Sequence, residues 1–166
     1  MNNCLIQTPL FGDKSNVVVD DLSTAGWPSA SVQSVEKITS IRVYHGEIVD
    51  KLTINYGKKQ AVHGSSNGNK TTPIQFKPRE YLIGIYGRSG LVSEDYGPTS
   101  IHQLQFVILD KETGKVRTEG PFGTGDDTAP FIPIYVTNKV VGFSSNVTED
   151  KKYIQALSFW TNFVDV

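Results

Sequence analysis

The sequence has a single cysteine, Cys4, so no disulfide can form within the chain. Cys4 follows the polar run Met1-Asn2-Asn3, where the thiol is expected to be exposed, either inert or as the link between two protomers. No charge of one sign prevails. The formal net charge is −1, and the basic residues are scattered rather than grouped in a stripe, which leaves no electrostatic footprint for nucleic acid. Long apolar runs are missing too. None approaches the roughly 18 residues of a membrane span, and the N-terminus lacks the basic-then-apolar plan of a secretory signal. A cytoplasmic location and secretion after processing therefore both stay open. The histidines are three, isolated from cysteine and from one another, so no metal site is expected. Finally, no window of 11 to 18 residues sustains the apolar spacing of a helix.

What the chain does have is turn chemistry, with 15 glycines and 8 prolines between short runs of alternating apolar residues. Strands are expected at Val17-Val18-Val19, around Ile41-Arg42-Val43, at Leu52-Thr53-Ile54-Asn55-Tyr56, at Ala61-Val62, through Tyr81-Leu82-Ile83-Gly84-Ile85-Tyr86, over residues 101–108, at Val116-Arg117, at Val140-Val141-Gly142-Phe143 and over residues 153–159. Small-residue loops separate them at 12–16, 64–69 and 120–127, with a further loop at 144–152. The pattern predicts an all-β protein. At this length it is one domain, residues 1–166, with 1–10 as an N-terminal extension, large enough to bury about 70% of its unfolded surface.

The stretch 43–57 organises the rest. Gly46-Glu47-Ile48-Val49-Asp50 reads as a tight turn between two strands, with the Asp50 carboxylate held at its exit as a fixed hydrogen-bond acceptor. The stretch has two cousins. Val49-Asp50-Lys51-Leu52-Thr53-Ile54, Ile101-His102-Gln103-Leu104-Gln105-Phe106 and Ile154-Gln155-Ala156-Leu157-Ser158-Phe159 carry apolar residues at their first, fourth and sixth places. Their spacing is nearly constant (102 − 50 = 52; 155 − 102 = 53). Three related sheets in one chain follow from this repeat. A hydrolase reading would need two carboxylates flanking one bond, and Glu47 with Asp50 is the only nearby pair in that turn. No Gly-x-Ser-x-Gly elbow is present. Tyr44, Tyr86, Tyr96 and Tyr153 are read as strand-end packing, and His45 and His63 as loop residues beside the turn.

Taken in order, these segments resemble the jacalin-related lectins. The resemblance rests on Val19-Asp20-Asp21, on Ile38-Thr39-Ser40-Ile41-Arg42-Val43 running into residues 46–52, and on Tyr56-Gly57 and His63-Gly64. It continues through Arg79-Glu80-Tyr81-Leu82, Gly87-Arg88-Ser89-Gly90, Leu104-Gln105-Phe106, Gly120-Pro121-Phe122-Gly123 and Val141-Gly142-Phe143. It implies a β-prism of three four-stranded antiparallel sheets with pseudo-threefold symmetry. It further implies a non-catalytic, metal-independent lectin that needs no cofactor and holds a sugar between a Gly-x-x-x-Asp loop and a neighbouring Gly-rich loop. Gly46, Glu47, Ile48, Val49 and Asp50 match the first loop, and Gly64, Ser65 and Ser66 the second. The family's main site falls at Lys151-Lys152-Tyr153-Ile154-Gln155, where lysine stands for glycine and glutamine for aspartate, so only Tyr153 and Gln155 carry over as weaker contacts. The third position ends in His102 after Gly97, opposite a loop containing Gly123, and is likewise weak. Mannose- or glucose-type glycans or glycoproteins are the implied partners, because galactose preference in this family accompanies a chain cut that this sequence does not show. The other readings are a β-prism used for protein interaction and, behind it, a glycoside hydrolase. A homo-oligomer is expected, since weak single sites gain from multivalency.

Overall fold

The computed structural model describes residues 5–24, 37–91, 99–124 and 130–162. Cys4, Tyr96 and Gly97, and residues 125–127 of the third small-residue loop, lie outside the described residues. The chain forms three antiparallel sheets of one plan. In the first, β4 (Ile38–His45), β5 (Val49–Tyr56), β6 (Lys59–His63) and β7 (Lys70–Gln75) lie in the order β6-β5-β4-β7. In the second, β8 (Glu80–Gly90), β9 (Ser100–Asp110), β10 (Val116–Phe122) and β11 (Phe131–Val136) repeat it as β10-β9-β8-β11. The third draws on both ends of the chain. Its central hairpin is β12 (Lys139–Val147) and β13 (Ile154–Asn162), with β3 (Val17–Asp20) beside β12. β1 (Leu5–Gln7) and β2 (Phe11–Gly12) both pair with the other edge of β13, as two pieces of one interrupted strand around Pro9. Leu5–Gln7, within the expected N-terminal extension, is thus part of the sheet.

The repeat explains the core. Its first, fourth and sixth places are Val49, Leu52 and Ile54; Ile101, Leu104 and Phe106; and Ile154, Leu157 and Phe159, and all nine are fully buried. β5, β9 and β13 pack against one another through these side chains, each sheet covering the apolar face of the other two.

The structure departs from the sequence reading in several places. Residues 144–147 are strand rather than loop, because Ser144, Ser145 and Asn146 are laddered to both β13 and β3. Phe131–Val136, which carries Pro133, is a further strand, at the edge of its sheet, the one place where proline costs no ladder bond. β3 ends at Asp20, and Asp21 opens a single helical turn, Asp21–Thr24, which the sequence pattern does not announce. Its fully buried carboxylate accepts from the Tyr56 hydroxyl, from the Phe143 N–H at 2.9 Å and from His63 Nε2 at 2.8 Å. His63 Nδ1 lies 2.8 Å from Ser145 Oγ, also fully buried. So His63 is a strand residue in a closed polar tie between two sheets. The tie has the residue types of a serine-hydrolase triad but no access for a substrate.

Candidate functional site

The turn after β4 spans residues 46–48, with Val49 and Asp50 already in β5. Register makes Asp50 unusual. Tyr44 pairs with Lys51 and His45 with Val49, so Asp50 is the extra residue of a β-bulge. A bulge re-aims one side chain while the strand on either side keeps its alternation. Val49 and Leu52 therefore stay in the core while the Asp50 carboxylate is turned to the end of the prism. The two related positions are built alike. His102 is left over between Arg88↔Gln103 and Ser89↔Ile101, and Gln155 between Asn146↔Ala156 and Val147↔Ile154.

Each bulge carbonyl is also buttressed by a glycine with positive φ. A Cβ on Gly64 (φ +76°) would sit under 3.0 Å from the Asp50 carbonyl, one on Gly123 (φ +87°) against that of His102, and one on Gly12 (φ +117°) against that of Gln155. Only glycine permits this approach in this conformation. The glycine loops then bond onward to the next face. The N–H groups of Ser65 and Ser66 donate to the Lys152 carbonyl at 3.0 and 3.1 Å, that of Thr124 to the Glu47 carbonyl at 3.1 Å, and that of Asp13 to Thr99 Oγ1 at 3.2 Å. The three loop ends are joined in a ring.

At Asp50 this construction leaves a cleft of about 340 Å³, lined by Gly46, Glu47, Ile48, Asp50, Ser66, Asn67, Gly68, Asn69 and, from the neighbouring face, Tyr153. Asp50 is only 6% exposed. Burial pushes its carboxyl above the ordinary aspartate range, against a hydrogen bond from Ser66 and the nearby Lys152 charge, which favour the anion. Gly68 closes on it, since a Cβ there would stand 2.6 Å from Asp50 Oδ2 and 2.8 Å from the His45 amide. His45 ends β4, buried, with Nδ1 3.4 Å from the Gly123 N–H and its ring edge-on to Phe122, so it supports the loop from beneath.

Of the residues singled out in the sequence, Gly46, Glu47, Ile48, Asp50, Ser66 and Tyr153 meet at this cleft. Val49 is in the core, and Gly64 and Ser65 hold the loop rather than line the cleft. Asn67, Gly68 and Asn69 are the lining residues that sequence reasoning passed over; the Asn67-Gly68 turn dipeptide was the available signal. Gln155, 7% exposed, lies on the third face, where its carbonyl accepts from Thr99. His102, 1% exposed, has no hydrogen bond to either ring nitrogen among the described residues. Gly123 donates to His45 and thus serves the Asp50 face. Among the described residues no group of three or more His, Cys, Asp or Glu gathers as a metal site.

Three equivalent antiparallel sheets give the chain the architecture of the β-prism lectins. The Jacalin-like lectin domain profile matches residues 23–160, and the chain belongs to that family of carbohydrate-binding, non-catalytic proteins. Solved structures agree on the fold. Malaysian banana lectin superposes with a TM-score of 0.69 at 20% identity, covering 95% of this chain and 98% of that one. A mannose-specific jacalin-related lectin from Morus nigra, in complex with mannose, gives 0.69 at 19% identity, covering 98% and 96%. A mannose-binding jacalin-related lectin from Ananas comosus gives 0.65 at 21% identity, covering 94% and 96%. A search of curated protein sequences returned no significant match.

Proposed function

We propose that this lectin binds mannose- or glucose-type glycans in the Asp50 cleft, without a metal and without turning them over, and that it gains avidity as a homo-oligomer. The observation that carries the reading is the bulged, nearly buried Asp50 carboxylate facing a cleft of small and amide residues. A pair of sugar hydroxyls donates to the two carboxylate oxygens, while Asn67 and Asn69 offer amide groups able both to donate and to accept. Tyr153 supplies the one aromatic ring in the lining. Two of the three pseudo-equivalent positions hold no carboxylate, which concentrates function on the first. The mannose preference is supported by the mannose-binding relatives of the same fold. Hydrolysis is disfavoured because Glu47, the other carboxylate of the cleft, is exposed on the turn and its carbonyl is engaged by Thr124.

The test is calorimetric titration with methyl α-mannoside beside a glycan array, on the wild type, Asp50→Ala and Gln155→Ala. Binding is expected to vanish in Asp50→Ala with the fold intact and to persist in Gln155→Ala. The opposite result moves the site to the third face. No binding of any glycan at millimolar sugar would favour the protein-interaction reading, and release of a chromogenic aglycone would favour a hydrolase.

A further inference from the structure

The opposite end of the prism holds a second cleft, of about 420 Å³, lined by Arg79, Tyr81, Lys111 and Glu112. It lies where β8 starts and β9 ends, since Glu80 pairs with Asp110 there, a whole strand length from His102 and the sugar loops. Two further cations stand against its tyrosine. The ammonium groups of Lys37 and Lys139 each stand 4.4 Å from the centre of the Tyr81 ring. An aromatic ring offsets part of the cost of a nearby ammonium group through its π face, but it does not neutralise it.

The carboxylates nearby are already committed. Glu80 is held by the Arg117 guanidinium through Nε at 3.0 Å and Nη2 at 2.9 Å and also accepts from the Lys77 N–H. Asp110 accepts from the N–H groups of Glu112 and Thr113. Glu112 pairs with Arg79 at 2.7 Å. Lys37 spends its protons on the Lys77 and Pro78 carbonyls. Among the described residues this leaves without a salt bridge both Lys111, in the lining with Tyr81, and Lys139, against the Tyr81 ring; burial, and after it the Lys111 charge, holds the Lys139 ammonium below the usual lysine range. Two cations gathered about one ring with no ion pair of their own repel each other, a cost that a bound anion would lower.

We propose that this cleft binds a tetrahedral oxyanion, the phosphate or sulfate monoester group of a small molecule, between Lys111 and Lys139, with Arg79 at its rim. The site is independent of the Asp50 cleft. It is tested on the full chain, isotopically labelled, by following the lysine side-chain Cε–Hε signals during titration with inorganic phosphate and, separately, inorganic sulfate, at constant ionic strength set with chloride. Saturable shifts of Lys111 and Lys139 in the millimolar range are expected. Lys111→Met, at an exposed position that leaves folding alone, is expected to weaken binding at least threefold, and Lys111→Met with Lys139→Met at least tenfold. The ratio of the two affinities tells which ester the site prefers. Shifts that rise linearly, that chloride reproduces, or that Lys111→Met leaves unchanged would overturn the proposal.

Discussion

Replacing Gly64 by alanine probes the buttress of the bulge directly. Alanine at φ +76° costs about 1–2 kcal/mol for the left-handed conformation alone. Its Cβ also meets the Asp50 carbonyl at under 3.0 Å, and backbone cannot swing aside as a side-chain tip can. Relief by shifting the loop adds about 1–3 kcal/mol, the range for an overpacked interior, so the total expected is about 2–5 kcal/mol. Gly114 is the control. Its φ is +67°, but nothing lies within 4 Å of its would-be Cβ, so Gly114→Ala isolates the conformational part at about 1–2 kcal/mol. Urea unfolding followed by tryptophan fluorescence, with unchanged m-values, gives both numbers. Gly12→Ala extends the comparison, because it makes the same clash with Gln155 on a face without a carboxylate. It should destabilise like Gly64→Ala yet leave sugar affinity near the wild type, whereas Gly64→Ala should lower it. Equal costs at Gly64 and Gly114 would refute the claim that the backbone approach, rather than φ alone, requires glycine.

Two pH effects follow with opposite signs. The Asp50 carboxyl is raised, so as pH falls it protonates before an ordinary aspartate would, turning an acceptor into a donor, and sugar binding should fade above about pH 3.9 while the fold gains rather than loses from this group. Titration of methyl α-mannoside affinity from neutral pH downward checks this. Glu80 is held at about 2 by hydrogen bonds from Arg117, so its contribution is complete above about 4.5 and disappears as pH falls towards 2. Glu80→Gln should then cost about 1–3 kcal/mol at pH 7, a figure reduced because Arg117 is 35% exposed, and little at pH 2, as measured by urea midpoints at both values.

Much of this was legible in the residues because burial in a sheet has a period of two and the repeat displays it three times. The equivalence of Asp50, His102 and Gln155 needed only counting. Their bulges were not legible, since one unpaired residue arises from the partner strand and leaves no mark on its own. Edge strands were also hard to see. Phe131–Val136 and Lys70–Gln75 carry Pro133 and Pro73, which read as breakers until the topology places both at edges. The tie between His63 and Asp21 joins residues 42 apart in sequence, which no local pattern announces.

The ring of bonds between loop ends bears on how such a molecule can change. Because the Lys152 carbonyl anchors Ser65 and Ser66, the third face serves the Asp50 cleft of the first even with glutamine at position 155. Likewise the glycine loop opposite His102 grips Glu47 and His45. A face without a carboxylate at its bulge thus still serves as masonry for its neighbour, so its backbone path is constrained even where its side chains differ. Grafting a new recognition loop onto any one face will succeed only if the receiving loop of the next is rebuilt with it.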